Sequence, residues 1–283
     1  MSSNAKIKKH SAYLESNPVN GRSVGSGSPD LALRLDHVIL RSPDPAATLT
    51  SLEQVGMPVI SPLQPLAGGA MQSGIVRGGA VDVEVLGVGE DAPLDVEGYG
   101  LGFTAPGHPI REVSARLRAI GLPTSGVIEG RAKTDGQHRR WRVVQVADLL
   151  PEPFPVPLTT RTPGALEWVS SAVLGLFGRL PAVARAATRR AGRSMIVITE
   201  YDFDVEAWRT TAHHGPSVVE VEIGVGDALA QWAAVGPVDG PRLLLDAAGP
   251  KGVRRLTLAG DSWQPGRPDA TLGSVTLSPP VPI

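Results

Sequence analysis

From Leu35 to Ser42 the chain reads LDHVILRS, a β-branched, strand-like run, and Leu49, Leu52 and Val55 then follow at helical spacing. Asp44 can accept from the free amides of a first turn, Pro45 fits the first helical position, and Gly56 fits the left-handed stop. A strand leading into a helix is predicted. Extended stretches around Val59–Leu66, Met71–Arg77 and Ala80–Val88, separated by Gly-Gly pairs that mark turns, complete a βαβββ unit.

The pattern recurs. Tyr99–Ala105 is strand-like, and Ile110, Val113, Leu117 and Ile120 share one helical face before Gly121. Val55-Gly56-Met57-Pro58 returns as Ile120-Gly121-Leu122-Pro123, 65 residues later. A unit of this size cannot bury its sheet face alone, so two units are expected to pack around a shared core. A weaker third copy opens at Val218–Ile223, where apolar and polar residues alternate. It continues through a short helix from Asp227 to Val235, and ends with extended runs at Arg242–Ala247 and Val253–Ala259. The last residues, with Pro279, Pro280 and Pro282, read as a tail.

Between the second unit's third strand (Arg139–Ala147) and its fourth (Ser194–Asp202) lies an insertion. Its first part, Leu150–Pro157, is punctuated by prolines, which favours extended geometry. Thr162 and Pro163 can then open a helix with the stripe Leu166, Val169, Val173 and Phe177. Pro181 ends it, and Arg185, Arg189 and Arg193 recur on a second short helix. The expected class is α+β. Its parts are a flexible arm (1–32), a first βαβββ module (33–97), a second module (98–210) with a helical insertion at 150–193, and a partial third βαββ module with a tail (211–283).

Composition narrows the function. The chain's 283 residues contain no cysteine, which excludes disulfides, thiolate metal sites and cysteine nucleophiles. A formal net charge of −1 argues against nucleic acid as a partner, since a basic footprint drives phosphate binding. The N-terminal segment has Lys6, Lys8 and Lys9 but no apolar run suited to a signal peptide, and no stretch matches a membrane span, so a cytoplasmic location is expected. A small molecule is the expected partner, and a homodimer is left open. The insertion reads first as a lid or packing element. Its apolar stripe followed by arginines also fits contact of 163–193 with an anionic membrane surface.

Leu35-Asp36-His37-Val38-Ile39-Leu40, Val81-Asp82-Val83-Glu84-Val85, Gly100-Leu101-Gly102-Phe103, Leu117–Pro123 and Ile196–Asp202, in this order, resemble the vicinal oxygen chelate superfamily and its glyoxalase-like branch over residues 34–148 and 194–260. The resemblance implies sheets that curl into half-barrels and inward residues that bind a divalent metal, with His37, Glu84 and Glu200 as ligands and Glu200 also the catalytic carboxylate. The fourth ligand position falls on Gly102 or Leu101, neither of which can ligate. One imidazole and two carboxylates would suit Fe, Mn, Ni or Zn, which would act as a Lewis acid on vicinal oxygens of a small substrate in isomerase, lyase or dioxygenase chemistry. The alternative that the missing ligand favours is a metal-free protein of the bleomycin-resistance type that sequesters a small molecule.

Strand periodicity bears on these residues separately. Asp82 and Glu84 share one face and the three valines the other, which fits either a carboxylate-lined concave face or a solvated one. Glu200 shares parity with Ile196 and Ile198, an apolar setting that favours a buried, functional carboxylate. His37 fits a ligand or a core histidine. His213 and His214 read as a loop pair. Arg140, Trp141 and Arg142 are candidates for holding an anionic substrate, although alternate arginines on a strand also fit a water-facing role.

Overall fold

The computed structural model describes residues 31–66, 71–87, 93–134, 137–146, 149, 195–210, 215–261 and 263–281. The expected insertion helices, most of the N-terminal arm, and His213 and His214 lie outside these residues.

The first module is β1 (Leu33–Ser42), α1 (Pro45–Gln54), β2 (Val59–Leu66), β3 (Met71–Gly78) and β4 (Val81–Gly87). The punctuation of α1 follows the sequence. Asp44 Oδ1 accepts from the Ala47 amide at 3.0 Å, and the chain leaves through Gly56 at φ 97°. The second module repeats the path with β5 (Glu97–Thr104), α2 (Ile110–Ala119), β6 (Ile128–Thr134), β7 (Gln137–Val146) and β8 (Met195–Tyr201).

The eight strands form one sheet in the order β2-β3-β4-β1-β5-β8-β7-β6. Within each module the first and fourth strands run parallel, and the modules meet where β1 lies antiparallel to β5. His37 is in register with Asp82 in the first module, as Gly102 is with Val197 in the second. The paired βαβββ architecture expected from the repeat is the observed one.

After β8 a short helix, α3 (Val205–Thr210), precedes a second sheet. That sheet uses β9 (Ser217–Gly224), α4 (Leu229–Val235), β11 (Arg242–Asp246), β12 (Gly252–Ala259), β13 (Ala270–Leu272) and β14 (Val275–Ser278), in the order β11-β9-β12-β14-β13. The two-residue β10 (Val238–Asp239) pairs instead with the start of β1. Residues read from sequence as a tail thus supply two strands. Val275 and Leu277 are buried there because β14 pairs with β12. Leu31, assigned to the arm, is 2% exposed and belongs to the core.

One continuous apolar core unites α1, α2, α4, the second sheet and one face of the large sheet. Val38, Leu52, Val83, Leu101, Leu117, Ile198, Val221 and Leu256 all lie in it. Burying each such side chain stabilises the fold by roughly 1.5–3 kcal/mol before entropy is counted. Indole groups lock the layers: Trp232 Nε1 donates to the Leu149 carbonyl at 2.7 Å and Trp263 Nε1 to the Val55 carbonyl at 3.1 Å. The other face of the large sheet carries a separate small apolar cluster, Ile39, Leu86, Tyr99 and Val197. The candidate chemistry lies on that inner face.

Candidate functional site

Strand alternation places His37 on the inner face with Ile39, and Asp82 and Glu84 with Leu86, while Val81, Val83 and Val85 enter the core. His37 Nε2 lies 3.6 Å from Glu84 Oε2. Glu84 is fixed from its other oxygen, since Ser73 Oγ donates to Oε1 at 2.5 Å.

On its far side, His37 Nδ1 donates to Asp36 Oδ2 at 2.7 Å, and the Tyr201 hydroxyl donates to that same oxygen at 2.6 Å. Consecutive strand residues normally point to opposite faces. Here a register shift between Leu35 and His37 in the β1–β5 pairing lets Asp36 reach its neighbour's ring. Asp36 is fully buried, so His37 is held in one orientation with Nε2 directed at Glu84.

The opposing strand makes room for this ring. A Cβ on Gly102 would overlap the His37 imidazole. The glycine at the repeat-equivalent position is therefore the space into which the first module's histidine fits.

Burial alone would lower the His37 pKa. The hydrogen bond that His37 donates to Asp36, then the charges of Asp36, Glu84 and Asp82, together outweigh it and raise the value above the usual 6.5. Asp82 is itself tied to Arg77, whose Nε lies 2.8 Å from Oδ1 with both side chains buried.

Glu200 is not brought to this pair. Its parity with Ile196 and Ile198 puts it on the core side of β8, and Val197, Thr199 and Tyr201 face inward. Glu200 Oε2 meets Arg142 Nη1 at 3.3 Å and accepts from the Ile110 amide at 3.4 Å, at the start of α2, whose preceding residue, Pro109, supplies no side-chain cap. A carboxylate there satisfies an orphan helix amide. The substrate candidates divide in the same way. Arg140 and Arg142 are exposed and share the parity of Val144 in the core, whereas Trp141 shares that of Val143 and lies against Gly130.

The donor set can therefore be tested against a metal. His37 and Glu84 offer one imidazole nitrogen and one carboxylate, and Asp36 would be a suitable outer partner for a ligating imidazole. The matching inward positions across β5 and β8 are Gly102 and Val197. Among the described residues no three His, Asp or Glu side chains converge as a metal site. The three-ligand set of His37, Glu84 and Glu200 does not form, because one of its members lies on the opposite face.

Sequence reasoning missed a second group on the inner face. Arg77 on β3 and Arg139 on β7 both lie over the Trp208 ring of α3, at 5.0 and 4.6 Å from its centroid. Arg139 also lies 5.1 Å from Phe203, which packs edge-on against Tyr201 and Trp208. On a flat sheet five strand spacings would separate β3 from β7 by about 24 Å. Both guanidiniums reach one indole because the sheet curls.

No protein-family model and no curated protein sequence matches the chain. Among solved structures, a hypothetical protein from Staphylococcus aureus superposes with a TM-score of 0.58 at 8% identity, covering 87% of this chain and 98% of that one. This likeness extends to the fold alone. Methylmalonyl-CoA epimerase from Mycobacterium tuberculosis also aligns, at TM-score 0.37 and 12% identity over 62% of this chain and 91% of that one. A mutant 4-hydroxymandelate synthase from Streptomyces coelicolor aligns at 0.44 and 12% over 80% and 70%. The class defined by the strand order is that of an α+β fold of paired βαβββ modules. No helix among the described residues is long and apolar enough to cross a membrane.

Proposed function

We propose that the inner face of the paired-module sheet binds a small oxygen-bearing molecule without a resident metal, with His37 as donor and Glu84 as acceptor. The observation that carries the reading is the clamped imidazole. Asp36 and Tyr201 fix one side of His37, leaving Nε2 and Glu84 Oε2 beside one another at 3.6 Å. A ring oriented by a buried carboxylate and facing a second carboxylate is suited to donating to a carbonyl or hydroxyl oxygen while Glu84 accepts from a neighbouring hydroxyl. The same pair can move a proton between adjacent atoms of its ligand, because an imidazole nitrogen and a carboxylate oxygen stand side by side. Isomerase-type proton transfer is the chemistry this arrangement serves; a sequestering role needs only the binding half.

The metal-dependent reading keeps one observation in its favour, the Asp36–His37–Glu84 geometry, in which Nδ1 is engaged and Nε2 is directed to a carboxylate. Calorimetric titration with Zn²⁺, Ni²⁺ and Mn²⁺ of the wild type, His37→Ala and Glu84→Gln separates the two. The proposal expects no stoichiometric, His37-dependent binding tighter than about 10 μM, weaker than structural or catalytic metal sites. Tight 1:1 binding lost in both variants would replace it with the metalloenzyme reading.

A further inference from the structure

We propose that Trp208 governs access to His37, acting as a strap that ties the two arms of the curled sheet across one end of the site. The indole is held by a guanidinium from each module, Arg77 at 5.0 Å and Arg139 at 4.6 Å. Both arginines have inner-face parity, Arg77 through its pairing with Asp82 and Arg139 with Trp141 and Val143. The row Arg77, Asp82, His37 runs directly across β3, β4 and β1, so the arginine under the indole is two strands from the imidazole.

A second attachment of this segment leads to the same histidine. Phe203 packs edge-on against Tyr201 with ring centroids 5.2 Å apart, and the Tyr201 hydroxyl donates to the carboxylate that orients His37. Glu206 adds an ion pair to Arg34 at the start of β1, at 3.1 Å. That contact is solvent-exposed and contributes little. Cation–π contacts of partly desolvated guanidiniums are the stronger hold, and a six-residue helix has no core of its own to keep it in place. The strap therefore closes by its aromatic contacts and opens when they are lost.

The role as a gate rests on reading His37 and Glu84 as the binding pair, but its test needs no ligand. Diethyl pyrocarbonate acylates unprotonated imidazole nitrogen, and peptide mass spectrometry resolves His37 from the other five histidines of the full-length chain. At about pH 8 the wild-type His37 should react slowly compared with His108, which lies at the surface before α2. Trp208→Ala should speed His37 acylation about tenfold with His108 unchanged, and Trp208→Phe, which keeps an aromatic face, should stay near wild type. An unchanged His37 rate in Trp208→Ala would overturn the gate. If that variant unfolds, so that every histidine reacts faster, Arg139→Gln decides: a several-fold rise confined to His37 supports the strap, and no rise contradicts it. Failure of small-molecule binding would remove the proposed function and leave this access result intact.

Discussion

Gly102 faces His37 across the β1–β5 pair, and the volume that a Cβ would occupy there is filled by the imidazole. The two modules are therefore not equivalent at their first strands. One provides the ring and the other the vacancy for it, which makes the centre of the sheet asymmetric despite its repeated topology.

Gly102→Ala should accordingly displace His37 rather than merely stiffen β5. Overpacking of this kind costs roughly 1–3 kcal/mol. Chemical denaturation gives the energy, and the His37 ring resonances should show loss of the Asp36 hydrogen bond. A variant with unchanged stability and ring shifts would show that β5 leaves room for a Cβ beside the imidazole.

Glu200→Gln should leave the inner face unaltered, because its partners are Arg142 and the Ile110 amide. The expected cost is about 0.5 kcal/mol, the scale of a partly exposed carboxylate at a helix N-terminus. Thermal unfolding checks the stability. Loss of small-molecule binding by this variant would return Glu200 to the site.

His37 is held above its ordinary value of 6.5 by Asp36, Glu84 and Asp82 against the opposing effect of burial. A raised folded-state pKa means that the imidazolium's contribution to stability is fully present below 6.5 and fades as the pH rises through the higher folded-state value. His37→Gln should therefore cost more at about pH 5.5 than at about pH 9. Denaturation at both values measures this, and an equal or larger loss at high pH would mean that the neutral ring is the favoured form.

Truncation after Gly266 should destabilise the protein strongly. It removes β13 and β14 and leaves β12 with an unpaired edge, and it takes Val275 and Leu277 out of the core. Two buried side chains of this kind represent roughly 3–6 kcal/mol. Full retention of the unfolding midpoint would show that the C-terminal strands are peripheral.

Much of this fold was legible because its signals are local. Asp44-Pro45 and Gly56 mark α1, and the 65-residue return of the helix exit reveals the second module. The faces of β4 were equally readable, since its valines and carboxylates alternate. Glu200 carried the same information. Its shared parity with Ile196 and Ile198 marks the core side of β8, as the valines do in β4.

Other features had no sequence signal. Asp36 reaches His37 only through a register shift between strands 65 residues apart in the repeat, and period-two alternation predicts the opposite face. Helix α3 is too short for helical periodicity to register, and its arginine partners come from two different strands. Strands β13 and β14 were hidden by brevity and by the prolines that follow them.

The central claim, that His37 and Glu84 form a metal-independent site for a small oxygen-bearing molecule, is tested most directly by titrating isotope-labelled protein with 3-hydroxybutan-2-one, a carbonyl beside a hydroxyl, in excess EDTA while following the imidazole and backbone resonances. Saturable shifts centred on the His37 ring, Glu84 and Ser73, absent in His37→Gln, are the predicted result. Shifts that require added divalent metal, or that map away from the inner face, would contradict it.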